Sequence, residues 1–178
     1  MTLIGWSQIL LFSALVLALT KPVGLYLFHV FEAPQRPLPR VLGPVERVLF
    51  RLCGLHPEQE QTWKQYTLAL LAFSAVGTGL AYALLRLQHV LPLNPQALGA
   101  VEPTLAFNTA ASFVANTNWQ SYGGETALSH FSQMAGLTVQ NFVSAATGIA
   151  VAVAVIRGVA ARSAGSIGNF WSDLIRAT

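Results

Sequence analysis

Three stretches of this chain are apolar and nearly uncharged for long enough to cross a bilayer as helices. The first runs from about Leu3 to Val30, with Lys21 near its far end and Pro22 as an expected kink. The second is Gln65–Leu85, an uncharged run between Lys64 and Arg86, and the third lies within Thr126–Ile156, closed by Arg157. A hydrocarbon core of ~30 Å takes about 20 helical residues, which each run supplies. A fourth apolar piece, Pro103–Val114, reaches only ~18 Å at ~1.5 Å per residue and cannot cross. After it the pattern turns polar without turning charged. Ala115–Glu125 reads A-N-T-N-W-Q-S-Y-G-G-E, and no residue from Pro103 to Gly124 carries a formal charge.

These patterns predict an all-α polytopic membrane protein with three transmembrane helices plus a re-entrant pore helix and filter loop. Residues 1–30 form the first span and 31–61 a Pro-rich cytoplasmic linker. Within the linker, the apolar positions of Val45–Leu55 predict a short interfacial helix with Arg47 and Arg51 snorkelling. Residues 62–160 form a helix–pore–helix unit: a span over 62–87, a pore helix over 103–114, a filter over 115–121 and a span over 128–157. Residues 161–178 form a cytoplasmic interfacial segment with Phe170, Trp171, Leu174 and Ile175 on its apolar side.

Charge placement tests the re-entry. Lys21, Arg36, Arg40, Arg47, Arg51 and Lys64 lie near or between the ends of the first two spans, Arg157, Arg162 and Arg176 follow the third, and Arg86 is the remaining one of the ten basic residues. If Pro103–Gly124 dips in and returns, nine of ten share one face, which the positive-inside rule makes cytoplasmic, and the N-terminus points outward. The apolar start has no preceding positive charge and exceeds a signal-peptide core, so it reads as a retained span.

Composition agrees. Of 178 residues 53% are hydrophobic and only 10% charged, whereas soluble domains carry about a quarter charged. The net charge of +3 is dispersed along membrane flanks and forms no stripe for nucleic acid. Cys53 is the single cysteine, so no internal disulfide forms, and His29, His56 and His89 are too scattered for a metal site. Gly77, Gly79 and Gly148 read as positions of close helix packing.

The candidate chemistry sits in the polar return. A dehydrated cation must exchange water for protein oxygens, and irregular backbone is tolerated at membrane depth only where protein buries it or where it lines a cavity. Asn116, Thr117 and Asn118 offer three successive backbone carbonyls with side-chain oxygens to brace them, and Asn tolerates left-handed backbone. Gln120 places an amide oxygen at the mouth. Trp119 and Tyr122 are filter supports that wedge the loop or sit at the interface, Gly123 and Gly124 let the chain turn, and Glu125 adds an outward negative charge. The plain alternative is a polar extracellular turn between helices.

Residues Ala106–Glu125 and F-S-Q-M-A-G-L-T-V-Q-N-F-V-S-A-A-T-G-I-A at Phe131–Ala150 resemble the first pore unit of the KdpA family, the potassium-binding subunits of the bacterial Kdp P-type potassium-transporting ATPase. P-V-E-R-V-L-F-R from Pro44, T-W-K-Q-Y from Thr62 and L-P-L-N-P-Q from Leu91 agree. The resemblance covers nearly the whole chain. It implies a subunit of the potassium-channel superfamily that takes potassium from outside through four pore units, in the bacterial inner membrane. It also implies Asn116, Thr117, Asn118 and Gln120 as the first filter strand. Its partners would be an ATP-hydrolysing subunit and small accessory membrane subunits. Potassium is then the bound ion. No phosphate-binding loop or phosphorylatable aspartate motif occurs here, so ATP hydrolysis is expected in the partner. Family chains are much longer, and one helix–pore–helix unit cannot surround an ion, so the resemblance implies a fragment or other segments completing the ring. A stand-alone tetrameric cation channel and a purely structural membrane subunit are the alternatives.

Overall fold

The computed structural model describes residues 2–32, 42–161 and 165–178; the Pro-rich stretch 33–41 and Arg162 lie outside the described residues. Every regular element among the described residues is a helix. Three of them, Ile4–Phe31, Trp63–Leu87 and Ser132–Ala160, are long and apolar enough to cross a membrane. The chain divides into two units, Met1–Gly54 and Leu55–Thr178.

In the first unit, α1 (Leu3–Phe31) is capped by Thr2, whose hydroxyl accepts the Gly5 N–H, and it continues through Pro22 rather than ending there. Large apolar side chains are exposed along its length, and the helix is long and apolar enough to cross a membrane. The shorter α2 (Leu42–Leu52) is strongly amphipathic.

The second unit opens with α3 (Trp63–Leu87). A capping box starts it: the Thr62 hydroxyl accepts the Gln65 N–H and Gln65 Oε1 accepts the Thr62 N–H at 2.9 Å. Then come α4 (Pro103–Val114), a single-turn α5 (Gly124–Ala127), a π-helical segment (Ser132–Thr138), α6 (Val139–Ala160) and α7 (Phe170–Ala177). Helix α4 starts where it does because Pro103 needs no N–H partner at the first position and the Glu102 carboxylate accepts the Leu105 N–H at 2.8 Å. One buried cluster (Leu85, Val101, Ala106, Phe113, Leu128 and Leu137) holds α4 against α3 and the π segment.

The third long helix differs from a regular span. Its first two turns are π-helical, so residues 128–157 are not one continuous α-helix. Polar groups account for the wider turns: the Thr138 hydroxyl donates to the Gln133 carbonyl, and the Gln133 amide donates to the carbonyls of Gly124 and Leu128.

Residues 165–178 fold back on the unit. Asn169 caps α7 by accepting the Trp171 and Ser172 N–H groups, and Gln61 exchanges backbone bonds with Ile167 and Gly168. Phe170 packs on Tyr66 and Phe73 with ring centroids 5.5 and 5.8 Å apart. Beneath it Asp173 is 1% exposed and takes both guanidinium nitrogens of Arg157, at 2.6 and 3.1 Å, while the Tyr66 hydroxyl lies 3.2 Å away. Thus the apolar side of α7, read as interfacial from sequence, is largely buried on protein. Gly168 makes room for the pair: at φ +100 it is strained for any other residue, and a Cβ there would stand 2.1 Å from Arg157 Nη1.

Removing one partner of a buried ion pair leaves an uncompensated charge, at a cost of about 3–5 kcal/mol. Asp173→Ala is therefore expected to lower unfolding stability in mild detergent by about that much, and Arg157→Met with Asp173→Leu to recover most of it. A loss from Asp173→Ala below about 1 kcal/mol would remove the pair as the anchor of α7.

Hydrogen bonds from the Leu105 and Thr104 backbone hold the Glu102 carboxyl below the usual carboxylate range. A lowered native value means that its capping contribution is complete above the unfolded carboxylate pKa and fades as pH falls through the native one. Wild type and Glu102→Gln are accordingly expected to differ most near neutrality and to converge in acid; a difference that grows in acid contradicts the cap.

Candidate functional site

The polar return is tied to the end of α4 by one residue. Ser112 Oγ accepts the Trp119 N–H at 2.8 Å and donates back to the Trp119 carbonyl at 3.1 Å. Its own carbonyl accepts the N–H groups of Thr117 (2.9 Å) and Asn118 (3.3 Å). The loop thereby closes directly over the C-terminal turn of α4, whose carbonyls carry the negative end of the helix dipole.

Within that closure Asn116 and Asn118 adopt left-handed backbone, φ +56 and +57, and Thr117 between them does not. The Asn116 side-chain oxygen accepts from Asn118 Nδ2 at 3.3 Å; Ser144 Oγ of α6 lies 3.4 Å from it, with the Ser144 hydroxyl donating to the Gln140 carbonyl at 2.5 Å. The backbone carbonyls of Asn116, Thr117 and Asn118 accept no hydrogen bond among the described residues. Residues 115–121 are all exposed, Gln120 included. The segment leaves Asn116, Thr117, Asn118 and Gln120 exposed, with the N–H groups of 116–119 held and the three carbonyls at 116–118 unclaimed among the described residues.

The supporting residues divide. Tyr122 packs into the cluster beneath α4, where burial pushes its phenol up and its hydroxyl meets no partner among the described residues. Trp119 is 80% exposed, and among the described residues its backbone, bonded to Ser112, is what is engaged. Gly123 and Gly124 do not supply a left-handed turn: Gly123 is extended at φ −89 and Gly124 starts α5. What Gly124 permits is approach, since a Cβ there would lie 3.4 Å from Gln133 Oε1. Glu125 stands exposed in the first turn of α5, beside an open cavity of about 350 Å³ also bordered by Gln96, His130 and Gln133.

Sequence reasoning missed three residues that position this edge. Ser112 is one; a hydroxyl in the last turn of an apolar helix was the available signal. Gln88, 1% exposed, is another. Its amide donates to the carbonyls of Gly99 (2.6 Å) and Ala127 (3.0 Å), and its oxygen accepts from the Ser129 N–H and the Ser132 hydroxyl. It joins the end of α3 to both limbs of the return. Asn94 is the third, bridging the Gln88 and Leu98 carbonyls and accepting the Leu98 N–H. Arg86, at the end of α3, donates to the Val101 carbonyl just before α4. Of the small-residue positions, Gly77 faces Gln140 and Val114, while Gly79 and Gly148 face open space in this chain.

Comparison with known proteins places this geometry. The KdpA family model, potassium-transporting ATPase A subunit, matches residues 10–178. A potassium-transporting ATPase potassium-binding subunit of Rhodospirillum centenum is 63% identical over 179 aligned residues, and that of Mesorhizobium japonicum 58% over 178. That of Granulibacter bethesdensis is 59% identical over 178. Each alignment takes in all of this chain and 31% of the relative, so the chain spans about a third of the length of these curated relatives. The match extends over more than half of the chain, through α3, α4, the polar return and α6: the chain belongs to the KdpA family of potassium-transporting ATPase A subunits.

Proposed function

We propose that this chain carries the first of four pore units of an ATP-driven potassium uptake complex, and that residues 116–120 form one strand of its selectivity filter. The observation that supports it most is the open edge of three unbonded carbonyls, with left-handed Asn116 and Asn118 flanking Thr117. A regular strand sends successive carbonyls to opposite sides; alternating hand is the backbone pattern that turns them toward one side. Potassium entering from outside would exchange hydration water for these oxygens and the amide oxygen of Gln120, near the negative end of α4. Glu125 at the mouth raises the local concentration of cations over a distance that salt limits to about 8–10 Å.

The remaining oxygens come from the other pore units. ATP hydrolysis belongs to a separate P-type subunit, and small accessory membrane subunits complete the assembly in the bacterial inner membrane, with the N-terminus of this chain outside. The names of the relatives support the potassium assignment. In this reading the Asn116 side chain is a brace, since its oxygen already accepts from Asn118, and the carbonyls do the binding.

Two experiments on the complete transporter test this. Gln120→Leu removes one ligand and Asn118→Leu strains a left-handed position (φ +57) that aims its carbonyl; each is expected to weaken apparent potassium affinity about tenfold or more, ~1.4 kcal/mol. Unchanged affinity and selectivity in both variants would falsify the filter assignment. Ser112→Ala loses two hydrogen bonds worth about 1 kcal/mol each, so potassium-over-sodium selectivity should fall while the complex still assembles. Retained selectivity in an assembled Ser112→Ala complex contradicts the closure described here.

A further inference from the structure

Helix α2 presents a face that the filter reading does not use. Val45, Val48, Leu49 and Leu52 recur at the i, i+3, i+4, i+7 spacing of one helical side, and all four are between 40% and 78% exposed. Phe50 is buried on another side of the same helix. Arg47 and Arg51, one turn apart, stand away from the apolar stripe and are exposed, and neither makes an ion pair among the described residues. Sequence adds Arg36 and Arg40 just upstream, so residues 33–54 hold four arginines and one acid, Glu46.

We propose that α2 is a lipid-binding helix: its apolar stripe lies in the acyl boundary of the cytoplasmic leaflet while Arg47 and Arg51 engage anionic lipid phosphates. Three observations favour lipid over a protein groove as the occupant. The helix begins ten residues after Glu32, within about 35 Å of the end of α1, itself long and apolar enough to cross a membrane. An 11-residue helix is too short to cross but long enough to lie in the interface. With the stripe turned down, the two arginines fall at headgroup level, where their charge complements phosphate and their stems can snorkel.

The experiment uses the whole 178-residue chain reconstituted in vesicles of phosphatidylcholine alone, or with one part in three phosphatidylglycerol. Cys53 is the single cysteine and is exposed, so Cys53→Ser leaves one chosen site for a nitroxide label. Val48→Cys is the test position, Leu49→Cys the second should the first fail to fold, and Glu58→Cys the water-exposed control. In anionic vesicles the label at 48 or 49 is expected roughly 5–10 Å below the phosphates, reached by oxygen and shielded from a water-soluble nickel chelate. Replacing Arg47 and Arg51 with glutamine should cut the seated-to-lifted ratio about fivefold per arginine, as should part of that effect in high salt. Nickel access at 48 and 49 equal to that at 58 in both vesicles overturns the proposal. So does shielding from both reagents, which would mean protein covers the stripe. Equal depth in neutral vesicles, unmoved by the arginine variants, removes the anionic-lipid specificity and overturns it as stated.

Discussion

A backbone carbonyl carried to membrane depth must bond to protein, to water or to an ion, because hydrocarbon offers it nothing. Much of the second unit follows from that constraint. Helix α4, at 12 residues, is too short to cross, and in the proposed reading the chain returns through a segment that is not helical throughout. Ser112 resolves half of the problem by taking up the N–H groups of Thr117, Asn118 and Trp119 with its two oxygens. The carbonyls at 116–118 are what remain. Donors are satisfied and acceptors are left over, which is the asymmetry that suits a cation and would not suit an anion.

Holding that edge in place requires both limbs of the return to be fixed. Gln88 does this at the C-terminal end of α3, where one buried amide uses its donors and its acceptor on residues of the 99 and 127–132 segments. A buried amide with partners on both ends is a specific connector: shifting either limb by one residue would leave a polar atom unpaired, at a cost of about 1–3 kcal/mol. At the other end of the unit, Arg157, Asp173 and Tyr66 join α6, α7 and α3 in the same manner with charge. Apolar clusters fill the space between these two networks, while most of the outward surface of the long helices remains apolar and exposed.

The all-helical class and the three long apolar helices were legible in the sequence because charge-free runs of that length have few alternatives. So was the start of α4, where Glu102 and Pro103 act on their own helix. The polar return was visible as a composition, but which of its atoms are tied and which are open was not. Ser112 reaches seven residues ahead and Gln88 about forty, distances at which periodicity carries no information. The Arg157–Asp173 pair was not legible, since nothing in the sequence around Asp173 announces that Arg157 lies opposite. The π-helical start of the third span escaped for a related reason: it depends on the Gln133 amide turning back to Gly124 and Leu128, a tertiary contact in a segment whose hydropathy is that of any span.

The open edge also bears on assembly. In the proposed reading one unit alone leaves the exposed carbonyls at 116–118 to water, and there is no selectivity in that state, because water accommodates any ion. Selectivity begins when other strands replace the water with oxygens at fixed positions. Fixity is what Ser112 supplies to this strand directly, while Gln88, at the end of α3, fixes the limbs on either side of it. In the proposed reading, then, ring closure and ion binding are two parts of one equilibrium: the ion neutralises carbonyl dipoles that would otherwise repel across the ring, and the ring holds the ion in place of its hydration shell. The exposed indole of Trp119 and the bare faces at Gly79 and Gly148 fit the same logic, as surface that this segment leaves for neighbouring helices rather than for its own core.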